Sequence, residues 1–210
     1  MSETKPSLLR LEGVTRCWWA TSDPLYVAYH DDEWGRPVDD DARLFEKLVL
    51  EGFQSGLSWL TILRKREHFR KAFRGFDPDR IARFGERDVT RLLGDAGIVR
   101  HRGKIEAAIA NAKAVRNVQR DAGSFAAYVW GFAPTPRANP APKSRSTVQA
   151  ATDASTALAA DLRKRGFRFV GPTTVYAFMQ AMGLVNDHLV GCASRSVCAR
   201  ARQAFRIPAA

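Results

Sequence analysis

Residues 50–66 read LEGFQSGLSWLTILRKR and set one carboxylate, Glu51, among residues that otherwise have the composition of a protein core. On a helix entering this stretch, Leu44, Leu48, Glu51 and Ser55 fall on one face at spacings of four, three and four. Burying a charge without a partner is expensive, so Glu51 needs a hydrogen-bonding role or a water-filled cleft. Trp59 follows eight residues later, a flat ring with a polar edge. Gly52 and Gly56 thin the helix between them and leave room for another backbone or a ligand. An acceptor for polar edges, a ring that stacks and small residues that leave space suit a planar, nitrogen-rich guest. Taken alone, the window reads more economically as a kinked core helix with a satisfied glutamate.

Helical patterning extends outward from this window. A first helix runs from Asp40 to about Ser55, and Ser58 caps a second that carries Arg64, Lys65, Arg66, Arg70, Lys71 and Arg74. Asp77-Pro78 opens a short helix, as does Asp23-Pro24 upstream, with Asp as the cap and Pro at the first helical position. Residues 86–118 read helix, tight turn, helix, with Gly97 and Gly103 bracketing a turn that holds Arg100, His101 and Arg102, followed by Lys104. Backbone N–H groups at a helix N-terminus beside such cations form a sequence-neutral phosphate clamp; an ordinary helical hairpin with exposed arginines is the plainer reading. Phe125–Phe132 is a short aromatic helix, residues 133–147 an extended proline-bearing connection, and two more helices run from Asp153 or Ser155 to about Lys164 and over TTVYAFMQAMGLV. Few strand patterns and no repeat occur, so the fold class is mainly α. Residues 1–16 read as a flexible N-terminal extension, 17–192 as one domain, and 193–210 as a loosely ordered basic tail.

The bulk numbers narrow the class. The chain of 210 residues, 45% hydrophobic, can bury a core of its own. No apolar run approaches the roughly 18 residues of a membrane span. The N-terminus lacks the apolar stretch of a signal peptide and the three cysteines are an odd number, which together read as a cytoplasmic protein without a disulfide framework. A net charge of +11 points to a polyanionic partner, nucleic acid above all.

Two further clusters stand out. Trp18, Trp19, Tyr26, Tyr29 and Trp34 put five polar-edged aromatics within 17 positions, which suits a cleft wall as well as a core. His188 and Cys192 are four apart, and Cys17 and His30 lie near the other end of the chain. Two cysteines and two histidines are a tetrahedral zinc set, closed and therefore structural, although buried thiols and ordinary histidines fit the spacing too. Cys198 is a substitute ligand in the tail, and His68 and His101 sit in basic, exposed contexts.

In order, the blocks RCWWATSDPLYVAYHDDEWG, LFEKLVLEGFQSGLSWLTILRKRE, DAGIVRHRGKI, KRGFRFVGPTTVYAFMQAMGLVNDH and HLVGC closely resemble the DNA-3-methyladenine glycosylase I family, over residues 16–192. The resemblance implies a helix-hairpin-helix DNA glycosylase fold, with the hairpin at about 86–118. One structural Zn2+ per chain would join the N- and C-terminal segments through Cys17, His30, His188 and Cys192. It implies a base pocket with Glu51 on the base edge, Trp59 stacked on the base and Tyr29 beside them, and further substrate-binding positions at Trp19, Tyr26 and Trp34. Glu51 is the candidate for both catalysis and base recognition. Gly97, Arg100, Arg102, Gly103 and Lys104 would bind DNA.

The implied function is excision of 3-methyladenine from double-stranded alkylated DNA by a monomer with water as nucleophile. Free 3-methyladenine is the product and no membrane is involved, as expected of a bacterial cytoplasmic enzyme that meets the nucleoid only through DNA. An adenine methylated at N3 carries positive charge, so its glycosidic bond is already weakened. The enzyme must then extract the base, recognise it and set a water near C1′. The hairpin DAGIVRHRG departs from the family's wider superfamily in lacking a Gly-x-Gly core, and Asp121 reads as a helix end rather than a catalytic aspartate. Leu57 could wedge into the base stack, with core packing as the plainer reading. A zinc-stabilised DNA-binding module without catalysis accounts equally well for charge, hairpin and metal but less well for Glu51 and Trp59. A metal-dependent nuclease fits worst, because a saturated Cys2His2 site leaves no open coordination position.

Overall fold

Side-chain caps start the helices where the local sequence directs them. In the computed structural model, which describes residues 6–208, Asp23 accepts backbone hydrogens at the start of α1 (Pro24–Ala28) and Asp40 at the start of α2 (Asp41–Gln54). Ser58 does the same for α3 (Trp59–Ala72), and Asp77 for the short α4 (Pro78–Ile81). α5 (Glu86–Gly94), α6 (Arg102–Ala122) and α7 (Phe125–Trp130) follow, and after the proline-bearing connection come α8 (Asp153–Lys164), α9 (Pro172–Ala181) and α10 (Ala193–Ala204). The chain is mainly α, as its periodicity indicates.

Two compact units are distinguishable. One comprises the chain to Pro37 with Ala133–Ala150 and Met179–Arg206; the other comprises Val38–Phe132 and Ala151–Phe178.

In the second unit, α2 buries Leu44, Phe45, Leu48, Val49 and Phe53, and α6 packs on α2, α4, α5 and α7. Buried alanines on α6, among them Ala107, Ala108 and Ala112, allow those close approaches. Phe53, Phe69, Phe73 and Phe76 form a continuous aromatic chain, with Phe73 and Phe76 stacked at 5.6 Å. Asp41 ties α2 to α7: its carboxylate accepts from the backbone N–H groups of Phe125 and Ala126 at 2.9 and 2.8 Å, and from Gln119 Nε2 at 2.8 Å. A carboxylate at a helix N-terminus satisfies orphan donors and opposes the helix dipole.

The first unit departs from the sequence reading at both chain ends. Residues 1–5 of the expected flexible extension lie outside the described residues, but Leu8–Leu11 and Val14–Cys17 pair as an antiparallel hairpin, β1 and β2, with Leu11 opposite Val14. Glu12 and Gly13, at φ 51° and 79°, make the two-residue turn whose twist suits a hairpin. Glu in place of the usual Asn or Asp conceals that turn in the sequence. The basic tail expected to be loosely ordered is α10 through Ala204, packed on β2 and anchored by the fully buried Cys198. Between α1 and Trp34 the chain makes a single π-helical turn, Tyr29–Glu33, a geometry often found at functional positions.

Candidate functional site

β2, the π-turn and the segment after α9 bring Cys17, His30, His188 and Cys192 together in the first unit. All four are buried, and their donor atoms lie within 4.8 Å of one another. Cys192 Sγ is 3.5 Å from both His30 Nε2 and His188 Nδ1, and Cys17 Sγ is 3.8 Å from His188 Nδ1. A tetrahedral zinc with bonds of about 2.3 Å to sulfur and 2.0–2.1 Å to nitrogen requires S···N edges of about 3.5 Å. The donors therefore stand near the spacing such an ion needs, and their chemistry suits it.

The outer contacts orient the rings. His30 Nδ1 is 2.7 Å from Asp31 Oδ1, which leaves Nε2 facing the thiols. His188 Nε2 is 3.0 Å from the Trp34 carbonyl, which leaves Nδ1 facing them. Metal-binding histidines are commonly fixed in this way, through the nitrogen that does not bind. Asp31 is held in turn by Arg16, whose Nη2 donates at 2.7 Å. Burial would raise the Asp31 carboxyl, but the hydrogen bonds from Arg16 and His30 outweigh it and hold the group below its ordinary value. Leu189 N–H donates to Cys17 Sγ at 3.4 Å. The hydrogen bond to Cys192 and burial push the Cys17 thiol up, while the hydrogen bonds from Cys17, His188 and His30 draw the Cys192 thiol down against burial. Cys198 stands apart from the set: its thiol faces the Trp34 carbonyl, and burial raises it to about 11.

The early aromatics pack onto this cluster. Trp19 meets Tyr26 at 5.2 Å, Tyr29 at 6.3 Å, Trp34 at 5.0 Å and the His30 ring at 4.8 Å, and Trp34 meets His188 edge-on at 4.7 Å. Tyr29 is buried, whereas Trp19, Tyr26 and Trp34 are partly open.

Glu51 and Trp59 come together in the second unit through a residue the sequence reading missed. Lys47 lies one turn before Glu51 on α2, and its ammonium is 2.8 Å from Glu51 Oε1 and 3.2 Å from the centroid of the Trp59 ring. The three are buried together. The i, i+4 spacing of Lys47 and Glu51 was the available signal. α2 ends at Gln54, so Gly56 does not thin a helix; at φ 83° it turns the chain toward Ser58. Gly52 does permit a close approach, since a Cβ there would stand 3.3 Å from that of Phe169. Leu57 is 42% exposed rather than packed in the core.

Helix α5, a turn and helix α6 hold the remaining candidates. Asp95 Oδ1 accepts from Gly97 N–H at 2.8 Å, and His101 Nδ1 accepts from Lys104 N–H at the start of α6. A Cβ on Gly97 would fall 2.8 Å from the His68 ring, which accounts for the glycine. Arg100 is exposed, and Arg102 pairs with Glu86 and Glu106 on the surface. Lys104 points inward: only 8% exposed, it donates to the carbonyls of Phe53 at 2.9 Å and Ser55 at 2.6 Å, where α2 ends. Burial lowers its pKa. Asp121 is exposed and pairs with Arg120 and Arg165.

Comparison with known proteins locates the chain among relatives. The methyladenine glycosylase family model matches residues 19–196. DNA-3-methyladenine glycosylase 1 of Escherichia coli strain K12 is 51% identical over 179 residues, 85% of this chain and 96% of that protein. A crystal structure of 3-methyladenine DNA glycosylase I superimposes with a TM-score of 0.79 at 52% identity, covering 85% of this chain and 98% of the other. A variant of 3-methyladenine DNA glycosylase I in complex with 3-methyladenine also gives a TM-score of 0.79, at 38% identity, over 86% of this chain and 97% of that one.

Proposed function

Because the chain belongs to the methyladenine glycosylase family, we propose that it is a monofunctional DNA glycosylase that releases 3-methyladenine from alkylated duplex DNA. The observation that carries this reading is the cation held by Glu51 and Trp59. A buried carboxylate and an aromatic face already bind one ammonium between them, and an N3-methylated adenine is a planar cation of the kind such a pair selects. Intact adenine lacks the charge and gains neither term. Trp59 stacks on the flipped base, and Glu51 accepts a hydrogen bond from its exocyclic amine. The glycosidic bond of the cationic base is intrinsically labile, so the protein contributes extraction, recognition and the exclusion of competing geometries. Water adds at C1′ and an abasic site remains.

Trp19, Tyr26, Tyr29 and Trp34 serve as a second aromatic contact surface for the substrate. α5 and α6 act as the helix-hairpin-helix element, offering the exposed Arg100, the Arg102 guanidinium and the N–H at Gly103 to phosphates, with Gly97 shaping the turn between them. Lys104 supports that element from inside. Cys17, His30, His188 and Cys192 hold one structural zinc per chain. When bound, the ion supplies folding energy and no open coordination position for chemistry. Among the described residues no helix is long and apolar enough to cross a membrane, and we take the enzyme to act as a cytoplasmic monomer.

The test is release of free bases from methylated duplex DNA, resolved by chromatography, for wild type and Glu51→Gln. Selective release of 3-methyladenine, strongly reduced in a folded Glu51→Gln variant, is the expected result. No release by folded, zinc-loaded wild type would overturn the reading in favour of a binding module.

A further inference from the structure

The Lys47 ammonium occupies the place a cationic base has to take. It sits 3.2 Å from the centroid of the Trp59 ring and 2.8 Å from Glu51 Oε1, and the Lys47 and Glu51 side chains are 6% and 5% exposed. A planar base stacked on that face at ordinary contact, about 3.5 Å, would fill the volume that Nζ now fills. The same base would seek the same carboxylate. In this structure the recognition pair is therefore engaged by the protein's own cation.

We propose that Lys47 is an internal competitor for the base site, displaced by the cationic base of the substrate and returning once a neutral product has formed. The inference rests on the glycosylase reading above and concerns how that site discriminates and empties. Before cleavage two cations compete for one carboxylate and one ring face, and the flipped base is tethered there by its DNA. Glu51 keeps a cationic partner throughout the exchange, so the large cost of a buried unpaired charge is avoided. On cleavage the C1′–N9 bond breaks and its electron pair passes to the base, which becomes neutral 3-methyladenine. Water adds to C1′ and gives its proton to solvent. The guest thereby loses its Coulombic and cation–π attraction to the site, whereas Lys47 retains both. An undamaged adenine, neutral from the outset, meets the same competitor and is disfavoured on entry. The geometry makes the exchange a side-chain movement: Lys47 lies one turn from Glu51 on a rigid helix and carries its charge on a flexible four-carbon stem.

Binding of free 3-methyladenine by equilibrium dialysis, in wild type and Lys47→Met, tests the proposal. With the competitor removed, the fraction of protein whose site is open rises, so product affinity increases by on the order of tenfold. Product inhibition of base release from methylated DNA strengthens by the same factor. Equal or weaker product binding in a folded Lys47→Met variant overturns the proposal and makes Lys47 an organiser of Glu51. Should that variant fail to fold, wild type still decides the matter through amine acetylation read by mass spectrometry. Lys47 labelling rises on saturation with 3-methyladenine if the base displaces it, and unchanged or reduced labelling rejects displacement. Wild type that neither releases nor binds 3-methyladenine would remove the glycosylase reading itself. Intact wild-type activity with unaltered product affinity in Lys47→Met would remove this inference alone.

Discussion

His30 turns Nδ1 toward the Asp31 carboxylate, 2.7 Å away, and Nε2 toward Cys192 Sγ, 3.5 Å away. Asp31 is gripped from its other side by Arg16 on β2. Besides supplying Cys17 itself, the hairpin therefore braces the candidate metal cluster through Arg16 and Asp31, which donate nothing to it directly. Loss of such outer contacts typically weakens metal binding 10–100-fold. Asp31→Ala should lower zinc affinity by about that factor in a chelator competition, with one zinc per chain in wild type by elemental analysis. Chelation should depress the thermal midpoint of wild type. A variant that holds zinc as tightly as wild type would show that the Arg16–Asp31 contact contributes packing only.

Trp59 is the residue whose loss should separate recognition from intrinsic lability. A desolvated cation–π contact contributes about 2 kcal/mol, and Lys47 makes the same contact in the free protein, so Trp59→Ala should reduce excision of 3-methyladenine by at most about 30-fold in single turnover. Unchanged excision in a folded variant would mean that shape and tethering alone select the base.

Helix starts were legible because their causes are local: Asp23, Asp40, Ser58 and Asp77 each cap a helix with a side chain two or three residues from the donor it satisfies. The candidate metal donors were legible as two residue pairs, but nothing in the spacing says that β2 and the segment after α9 converge. α10 was hidden because its buried face is small, with Ser194 and Cys198 set among three arginines. Lys47 was hidden for a different reason. A lysine one turn before a glutamate is ordinary on a solvated helix, and only the burial of α2 turns that spacing into a held cation. The same applies to Lys104, which reads as a phosphate ligand by composition and proves to close the end of α2.

Lys104 consequently carries a prediction that distinguishes those two roles. Its ammonium satisfies the carbonyls of Phe53 and Ser55, and hydrogen bonds from a charged group contribute about 1.5–3 kcal/mol. Lys104→Met should lower stability by about that amount in urea unfolding and leave the salt dependence of DNA binding as it is. A variant of normal stability whose log–log salt slope falls by about 1 would instead identify Lys104 as a phosphate contact.

Tyr128 sets the last expectation, for alkaline stability. Its hydroxyl donates to Asp161 Oδ2 at 2.9 Å from a buried position. Burial foremost, and then the hydrogen bond to Asp161, raise its pKa above the ordinary tyrosine value. A group whose pKa is raised on folding contributes stability that is fully present below its unfolded pKa, about 10 for tyrosine, and is lost as pH rises toward the folded value. The neighbouring Asp161 shifts the other way: the hydrogen bond from Arg165 lowers it, against burial and together with that from Tyr128. Its contribution is present above about pH 4 and is lost as pH falls through the lowered folded value, in a window that does not overlap the first. Wild-type stability should therefore decline above about pH 10 more steeply than that of Tyr128→Phe, which has no proton to lose there. Comparing the two proteins by urea midpoint cancels every titration they share. Parallel decline in both would place the alkaline sensitivity elsewhere.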